Sequence, residues 1–271
     1  MTSREAYLKT RARLLSITEE AALEARLLLA RVTGMEPSRA ALSEEPLSPE
    51  AEEALEELIK RRLRREPIQY LLGEWGFMGL PFFVSPAALI PRQDTELLCE
   101  EALRLIAERG YKSALDICTG TGCIAVSIER LSKTPVIMEA SDISAEALAL
   151  AERNAERNSA QVLFRRADLF GGAGEYDLVT ANPPYISEED MKSLEPELSY
   201  EPRLALFGGE DGLALYRRIA REAETHIRRG GVLLLEVGAG EAEAVRGLFP
   251  ERETAVIKDL NGVERVVRID F

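Results

Sequence analysis

Apolar positions change their spacing twice along this chain. From residue 4 to about 73 they recur at helical intervals: Leu14, Leu15, Ile17, Ala21, Ala22 and Leu23, then Leu27, Leu28, Leu29 and Val32. Ser48-Pro49-Glu50-Ala51 supplies an N-cap with proline at the first helical position, and Gly34 and Gly73 supply stops. The pattern predicts a small helical bundle over 1–74 whose Leu and Ala stripes form its core. From Trp75 to Ile90 the character shifts: short β-prone runs flank Gly79 in Phe77-Met78-Gly79-Leu80-Pro81-Phe82-Phe83-Val84. A β-hairpin linker over 75–93 follows from this. Asp94 or Thr95 is then expected to cap a helix carrying Leu97, Leu98, Ala102, Leu103 and Ile106.

Beyond Gly110, strand-like and helix-like segments alternate. Strands are expected at 113–118, 135–140, 161–166, 177–181, 231–237, 253–258 and 263–269, with helices at 123–131, 144–158, 212–227 and 241–248. Asn261-Gly262 between the last two strands marks a hairpin turn. Such alternation predicts an α/β domain over 94–271: a doubly wound, mostly parallel seven-stranded sheet with helices on both faces, joined to the small amino-terminal helical bundle.

Length and composition fit that plan, since 271 residues with 46% hydrophobic content suffice for one medium domain and a small one. Neither a long apolar run nor an apolar leader after Met1 is visible, so a soluble, cytoplasmic chain without membrane contact is expected. A net charge of −13 argues against a protein that binds nucleic acid by neutralising phosphates. Arg61-Arg62-Leu63-Arg64-Arg65 is a local exception that reads as a solvated helix face or a contact for a partner. Cys99, Cys118 and Cys123 match no zinc spacing, and the single histidine, His226, has no companion ligand, so no metal site is expected. Chemistry that needs a histidine base is nearly excluded as well.

Candidate chemistry gathers where two strands end. Ala181-Asn182-Pro183-Pro184-Tyr185 follows the apolar run 176–180. Consecutive prolines fix φ near −65° and remove two donors, which leaves carbonyl oxygens and the Asn182 amide facing the loop's guest. A stiff wall of acceptors suits a planar NH2 group, on a glutamine side chain or a nucleobase, with Tyr185 offering an aromatic face. The plain alternative is a turn after a strand.

The second candidate is Asp116-Ile117-Cys118-Thr119-Gly120-Thr121-Gly122, between the first strand of the sheet and a helix. Glycines there admit a ligand close to the backbone, at the strand ends where open α/β sheets bind ligands. Asp142, about twenty residues on, sits where ribose hydroxyls are held. The third dinucleotide glycine is replaced by Ala125, and Asp116 would repel a pyrophosphate, so a cofactor with an ammonium and a sulfonium, S-adenosylmethionine, fits the loop. Asp168 and Leu169, after the third strand, are expected to meet the adenine, Asp168 at its exocyclic amine.

Together these motifs resemble class I, Rossmann-like methyltransferases acting on amide or exocyclic amine nitrogens. Arg65-Glu66-Pro67-Ile68-Gln69-Tyr70-Leu71-Leu72-Gly73, Leu89-Ile90-Pro91-Arg92-Gln93-Asp94-Thr95-Glu96 and Glu201-Pro202-Arg203-Leu204-Ala205-Leu206-Phe207-Gly208-Gly209 narrow the resemblance to the bacterial peptide chain release factor glutamine methyltransferases, the PrmC or HemK family. It covers nearly the whole chain, and Asp94-Thr95-Glu96 favours this branch over the ribosomal-protein glutamine methyltransferases. The resemblance implies methyl transfer from S-adenosylmethionine to the side-chain nitrogen of the glutamine in a Gly-Gly-Gln loop of a release factor, as a monomer and with no direct nucleic-acid partner. Asn182, Pro183 and Tyr185 would then be catalytic and, with Pro184, bind substrate. Asp116, Cys118, Thr119, Gly120, Thr121, Gly122, Asp142, Asp168, Leu169 and Asn182 would hold the cofactor. The bundle, with Arg61, Arg62, Arg64 and Arg65, would grip the release factor. Two positions depart from the pattern. Cys118 stands where many methyltransferases have glycine, which predicts a less free backbone. Leu169 stands where relatives often have an aromatic, which predicts weaker adenine stacking. The rival readings are an adenine-N6 nucleic-acid methyltransferase and a cofactor-binding regulator without catalysis.

Overall fold

The structure, a computed structural model, describes residues 1–271. The chain folds as two compact units, one of residues 1–74 with 195–200, the other of 75–194 with 201–271. No helix is long and apolar enough to cross a membrane.

The first unit contains α1 (Ser3–Leu14), α2 (Ala21–Thr33), α3 (Pro37–Leu42), α4 (Pro49–Leu63) and α5 (Ile68–Leu72). Thr2 and Glu5 form a reciprocal capping box on α1, and Ser48 accepts from Ala51 N ahead of Pro49 on α4. Gly34 and Gly73 close α2 and α5 in the left-handed conformation. The core is built from Leu14, Leu28, Leu29, Leu55, Ile59 and Leu71. Leu15 and Leu23, expected inside, point outward, because the buried stripe of α1 runs through Ala6 and Thr10 to Leu14 and that of α2 through Ala21, Ala25 and Leu28.

The arginine run is mostly paired with carboxylates of its own unit rather than a free basic face. Arg62 is buried, bidentate to Glu24 at 2.8 and 3.1 Å, and reaches Glu197 at 3.0 Å. Arg65 pairs with the same Glu197 and donates to the Ile17 carbonyl, while Arg61 pairs with Glu66. Only Arg64 turns to solvent. A guanidinium carries five donors in a fixed fork, so one arginine can satisfy two carboxylates from different segments. This pairing explains why 195–200 packs with the bundle although it lies far along the chain.

In the second unit, β1 (Glu74–Phe77) and β2 (Leu80–Phe83) form a hairpin turned by Met78 and Gly79, both at positive φ. It is fastened to a helix of its own unit: Asn154 bonds both Phe83 N and Phe83 O, and Asn158 donates to Pro81 O. Next come α6 (Glu96–Arg109), β3 (Ser113–Ile117), α7 (Cys123–Leu131), β4 (Ile137–Asp142), α8 (Ala145–Asn158), β5 (Val162–Arg166), β6 (Tyr176–Ala181), α9 (Ala214–Ala223), β7 (Ile227–Glu236), α10 (Ala242–Arg246), β8 (Glu253–Lys258) and β9 (Glu264–Asp270). The sheet order is β5-β4-β3-β6-β7-β9-β8, parallel from β5 to β7, with β9 antiparallel to both neighbours. Alternate residues feed two cores: Ala114, Leu178, Val232 and Leu234 on one face, Leu115, Val179, Leu233 and Leu235 on the other. β7 starts four residues before the expected strand, because Ile227 pairs with Tyr176, and α9 is correspondingly shorter than its expected span.

Register places the site. Ile117 pairs with Ser141 and with Ala181, and Ala181 with Leu235. The next residue of each strand is Cys118, Asp142, Asn182 and Glu236, so four chemically useful residues stand in one row at the carboxyl edge, where β3 meets both β4 and β6 and the connections diverge to opposite sides.

The loop leaving β6 is clasped at its base. Ile186 N donates to Leu206 O and Gly208 N to Ile186 O, both at 2.9 Å, which closes the excursion 187–206 on itself. A Cβ on Gly208 would fall 2.6 Å from Gly212 O, 2.7 Å from Tyr185 Cα and 2.8 Å from Pro184 O. Gly208 is therefore the gap through which the Pro184-Tyr185 backbone passes.

Two outcomes follow for stability. Arg62→Ala, which leaves Glu24 and Glu197 without their shared cation, is expected to cost about 3–5 kcal/mol in chemical denaturation, against about 0.5 kcal/mol or less for exposed Arg64→Ala. Gly208→Ala is expected to lose about 1–3 kcal/mol through overpacking. Gly174→Ala, where an added Cβ meets nothing, is the control and should stay close to wild type.

Candidate functional site

A cavity of about 330 Å³ opens at the row of strand ends. Its floor is the loop after β3, its sides are residues 86–92 and the turns around Asp142 and Asp168, and Asn182 and Pro184 close the end nearest β6. That volume is in the range of small-molecule sites, and the mostly apolar wall with a few polar groups matches their usual chemistry.

The loop after β3 depends on left-handed backbone at three positions: Cys118 at φ 58°, Gly120 at 55° and Gly122 at 77°. The expectation of a less free backbone at Cys118 is thus answered by the structure, since cysteine adopts the conformation a glycine would supply, at a steric cost that the surroundings must offset. Thr119 N donates to Ser141 O at 3.0 Å and Gly120 N to Asp142 Oδ2 at 2.9 Å, which lash the loop to β4. Gly122 has a packing role, because a Cβ there would lie 2.9 Å from Ala151 Cβ on α8.

Asp116 does not reach the cavity. It is fully buried beneath the loop and accepts from Thr119 Oγ1 at 2.6 Å and Thr180 Oγ1 at 2.8 Å. Asp116 is not among the lining residues, and from beneath it holds Thr119, which does line the cavity. Burial drives its carboxyl up from 3.8 to about 7, with Thr119 and Thr180 opposing the rise and Asp142 adding to it. Asp142 does line the cavity. Its Oδ1 accepts from Ser144 N at 2.8 Å and its Oδ2 from Gly120 N, and a carboxylate with about four acceptor sites retains capacity for a ligand hydroxyl.

Asp168 and Leu169 also face the cavity, with Leu169 at φ 53°. Asp168 is not a free acceptor: its Oδ2 pairs with Arg218 Nη2 at 2.9 Å. A second ion pair, Arg92 with Glu201, lies near the opposite wall, and Glu201 also accepts from Ile90 N at 2.9 Å. This pair ties the chain at 90–92 to the segment that carries Pro202, Leu204 and Ala205, all of which line the cavity. Arg218 and Glu201 escaped the sequence reading as individual site residues. Glu201 lay inside a quoted motif, but Arg218 sits mid-helix with no local signal.

Of the Asn182-Pro183-Pro184-Tyr185 loop, Asn182 and Pro184 line the cavity, and Pro183 between them is buried. Tyr185 packs against the core on one face of the sheet, and burial pushes its hydroxyl up to about 12, so it stays protonated. Asn182 Nδ2 donates to Thr95 Oγ1 at 3.3 Å. Thr95 was expected as a possible helix cap, but its hydroxyl makes no cap bond to α6 and is turned to Asn182 instead. The amide's nitrogen half is thus held from behind, and its oxygen is the half left for a guest.

The cavity suits a sulfonium cofactor better than a phosphate one. Its polar wall includes the carboxylates of Asp142, Asp168 and Glu146, its two arginines, Arg92 and Arg218, are each already paired with a carboxylate, and Gly120 N of the glycine loop is spent on Asp142.

Comparison with known proteins agrees with this geometry. Residues 5–73 match the PrmC N-terminal domain and 94–198 the methyltransferase small domain. The release factor glutamine methyltransferase of Geobacter sulfurreducens is 42% identical over 257 residues, covering 92% of this chain and 89% of its own. That of Bordetella pertussis is 42% identical over 253 residues, covering 90% and 93%. Among solved structures, the hMettl16 catalytic domain in complex with MAT2A 3'UTR hairpin 6 superposes with a TM-score of 0.57 at 15% identity over 83% of this chain and 82% of that one. A methyltransferase from Pyrococcus furiosus gives 0.52 at 22% identity over 70% and 88%. Both structural likenesses carry the fold. With the sequence relatives aligned over nearly the full length, and with an acceptor loop and a glycine loop meeting at one cavity, the chain belongs to the release factor glutamine methyltransferase family.

Proposed function

We propose that this chain methylates the side-chain amide nitrogen of the glutamine in the Gly-Gly-Gln loop of a peptide chain release factor, with S-adenosylmethionine as donor. The observation that carries the reading is the Asn182 amide, whose nitrogen is bonded to Thr95 while the residue lines the cavity shared with the loop after β3. When bound, S-adenosylmethionine supplies a methyl group made electrophilic by its sulfonium. Asp142 is assigned to the ribose hydroxyls, and Cys118, Thr119, Gly120, Thr121 and Leu169 to the walls of the cofactor's place. Asp168, paired with Arg218, presents a shared rather than a bare carboxylate to the adenine end.

An amide nitrogen is a poor nucleophile because its lone pair is drawn into the carbonyl. Asn182 Oδ1 and the Pro183 carbonyl are assigned one N–H each of the substrate amide, which orients the nitrogen and leaves its lone pair toward the donor. Positive charge that grows on the nitrogen is met by these fixed acceptors at no reorganisation cost. Pro183 and Pro184 keep the loop from relaxing, and Gly208 holds its backbone in place. Tyr185 stays neutral and supplies a packing surface, not a base. The residues 1–74 are assigned to release-factor recognition. Within the arginine run only Arg64 has its side chain available for that role, since Arg61, Arg62 and Arg65 are already paired. The cavity is lined by residues of one chain, which supports action as a monomer, and a release factor as substrate supports a cytoplasmic location.

Incubation of full-length protein with release factor and S-adenosylmethionine should add one methyl group to the loop glutamine by peptide mass spectrometry. Asn182→Ala should lower the rate by about 10²–10³, the loss typical for removal of one preorganised transition-state hydrogen-bonding group, with cofactor affinity changed far less. Equal turnover by the variant would refute the acceptor mechanism.

Asp116 makes a separate prediction about stability. In the free protein its carboxyl is neutral up to about pH 7, whereas in the unfolded chain it ionises near 3.8. Folding therefore takes up a proton between those values, and its contribution to stability is full below the lower one and lost as pH rises through the upper. Asp116→Asn should gain melting temperature relative to wild type on going from about pH 5 to pH 8. A difference between the two proteins that is flat with pH would show that Asp116 is ionised in the fold.

A further inference from the structure

Glu236 is buried at the end of β7, in the same row as Asn182 and one strand away, yet it does not line the cavity. A buried carboxyl at that position needs an account. The Thr95 and Asn182 side chains lie beside it and favour its charged form, and its Oε2 is buried with no hydrogen-bond partner. Asn182 Nδ2 also donates to Thr95 Oγ1, so the Thr95 hydroxyl hydrogen is free to point at the carboxylate. The three side chains come from the turn before α6, the loop after β6 and the end of β7, and they form a chain running inward from the cavity.

A primary amide presents an acceptor on one side and donors on the other, and a half-turn about its last bond exchanges them. Only one of these orientations offers an acceptor to the cavity. We propose that Glu236, acting directly and through Thr95, is the positioning residue that keeps the Asn182 amide turned with its NH2 inward and its oxygen toward the guest. The inference rests on the reading of Asn182 as the substrate's acceptor. An ionised carboxylate has acceptors only, so it can hold the NH2 and cannot hold the flipped oxygen. A protonated carboxyl carries a hydroxyl donor and satisfies either orientation. The charge on Glu236 therefore decides how strictly Asn182 is aimed.

The groups facing Glu236 are Asp94, Arg265, Tyr185, Tyr216, Cys99 and Cys123. Asp94 and Arg265 are ion-paired at 2.8 Å and largely offset one another. Both tyrosines and both thiols are pushed upward by burial and stay neutral around pH 7. Burial likewise lifts Glu236 to about 7, so among these groups it is the one that changes charge near neutrality.

The test is a steady-state pH profile of the full chain with release factor and S-adenosylmethionine, for wild type, Glu236→Gln, Thr95→Val and Thr95→Ser. Wild-type kcat should climb fivefold or more between about pH 6 and 8, as Glu236 ionises. Glu236→Gln, which has the same size and no charge to gain, should lose that step and about tenfold of kcat at the upper end, while its cofactor dissociation constant stays within about threefold. A Gln variant that keeps the wild-type step, or the full rate, overturns the inference. Should Glu236→Gln fail to fold, the hydroxyl decides: Thr95→Ser is expected to be at least about fivefold more active than Thr95→Val, and equal rates overturn the inference. A wild-type protein that binds S-adenosylmethionine but transfers nothing to release factor overturns the functional reading itself, and this inference with it.

Discussion

Backbone pairing among β4, β3, β6 and β7 is the constraint on which the rest of the molecule depends. Parallel strands in register end at a common height, and the residues that follow Ser141, Ile117, Ala181 and Leu235 become neighbours although they span more than a hundred positions of sequence. Ladder hydrogen bonds are numerous and mutually supporting, so a slip by one residue would move every side chain of a strand to the opposite face and disperse the row. The two cores resist such a slip, because alternate residues of each central strand are committed to one side or the other.

On this platform the loops are stiffened by different devices. Prolines restrict the loop after β6, close backbone passage at Gly208 restrains it from below, and left-handed residues shape the loop after β3. Ion pairs do comparable work at the walls, where Arg92 with Glu201 and Arg218 with Asp168 join segments distant in sequence. Beneath the cavity lie two carboxyls held near neutrality by burial, Asp116 and Glu236, each facing hydroxyl groups that in turn touch or support cavity residues. The arrangement places titratable groups one layer behind the cavity wall.

Much of the fold was legible because its signals are local. Helical spacing, the cap at Ser48, and the alternation of strand and helix require only neighbours in sequence, and the strands and helices lie close to where the pattern puts them. The two site loops were legible for a similar reason: proline pairs and glycine clusters announce themselves. What stayed hidden was set by tertiary contact. Asp116 reads as a ligand because it precedes the glycines, and only the structure turns it beneath the loop toward Thr119 and Thr180. Arg62 reads as a solvated charge until Glu24 and Glu197 are seen on either side of it. Glu236 is an ordinary last residue of a strand in sequence, and its meaning appears only when β7 is aligned beside β6.

The passage of residues 195–200 into the helical unit has a consequence for synthesis. A ribosome delivers the amino-terminal helices first, and such segments ordinarily begin folding as they emerge. Here Arg62 and Arg65 must wait for Glu197, so roughly 130 further residues leave the tunnel before that ion-pair cluster can close. The nascent bundle is thus incomplete in its electrostatics for most of the chain's elongation, and its final consolidation is coupled in time to the appearance of the loop that follows Tyr185.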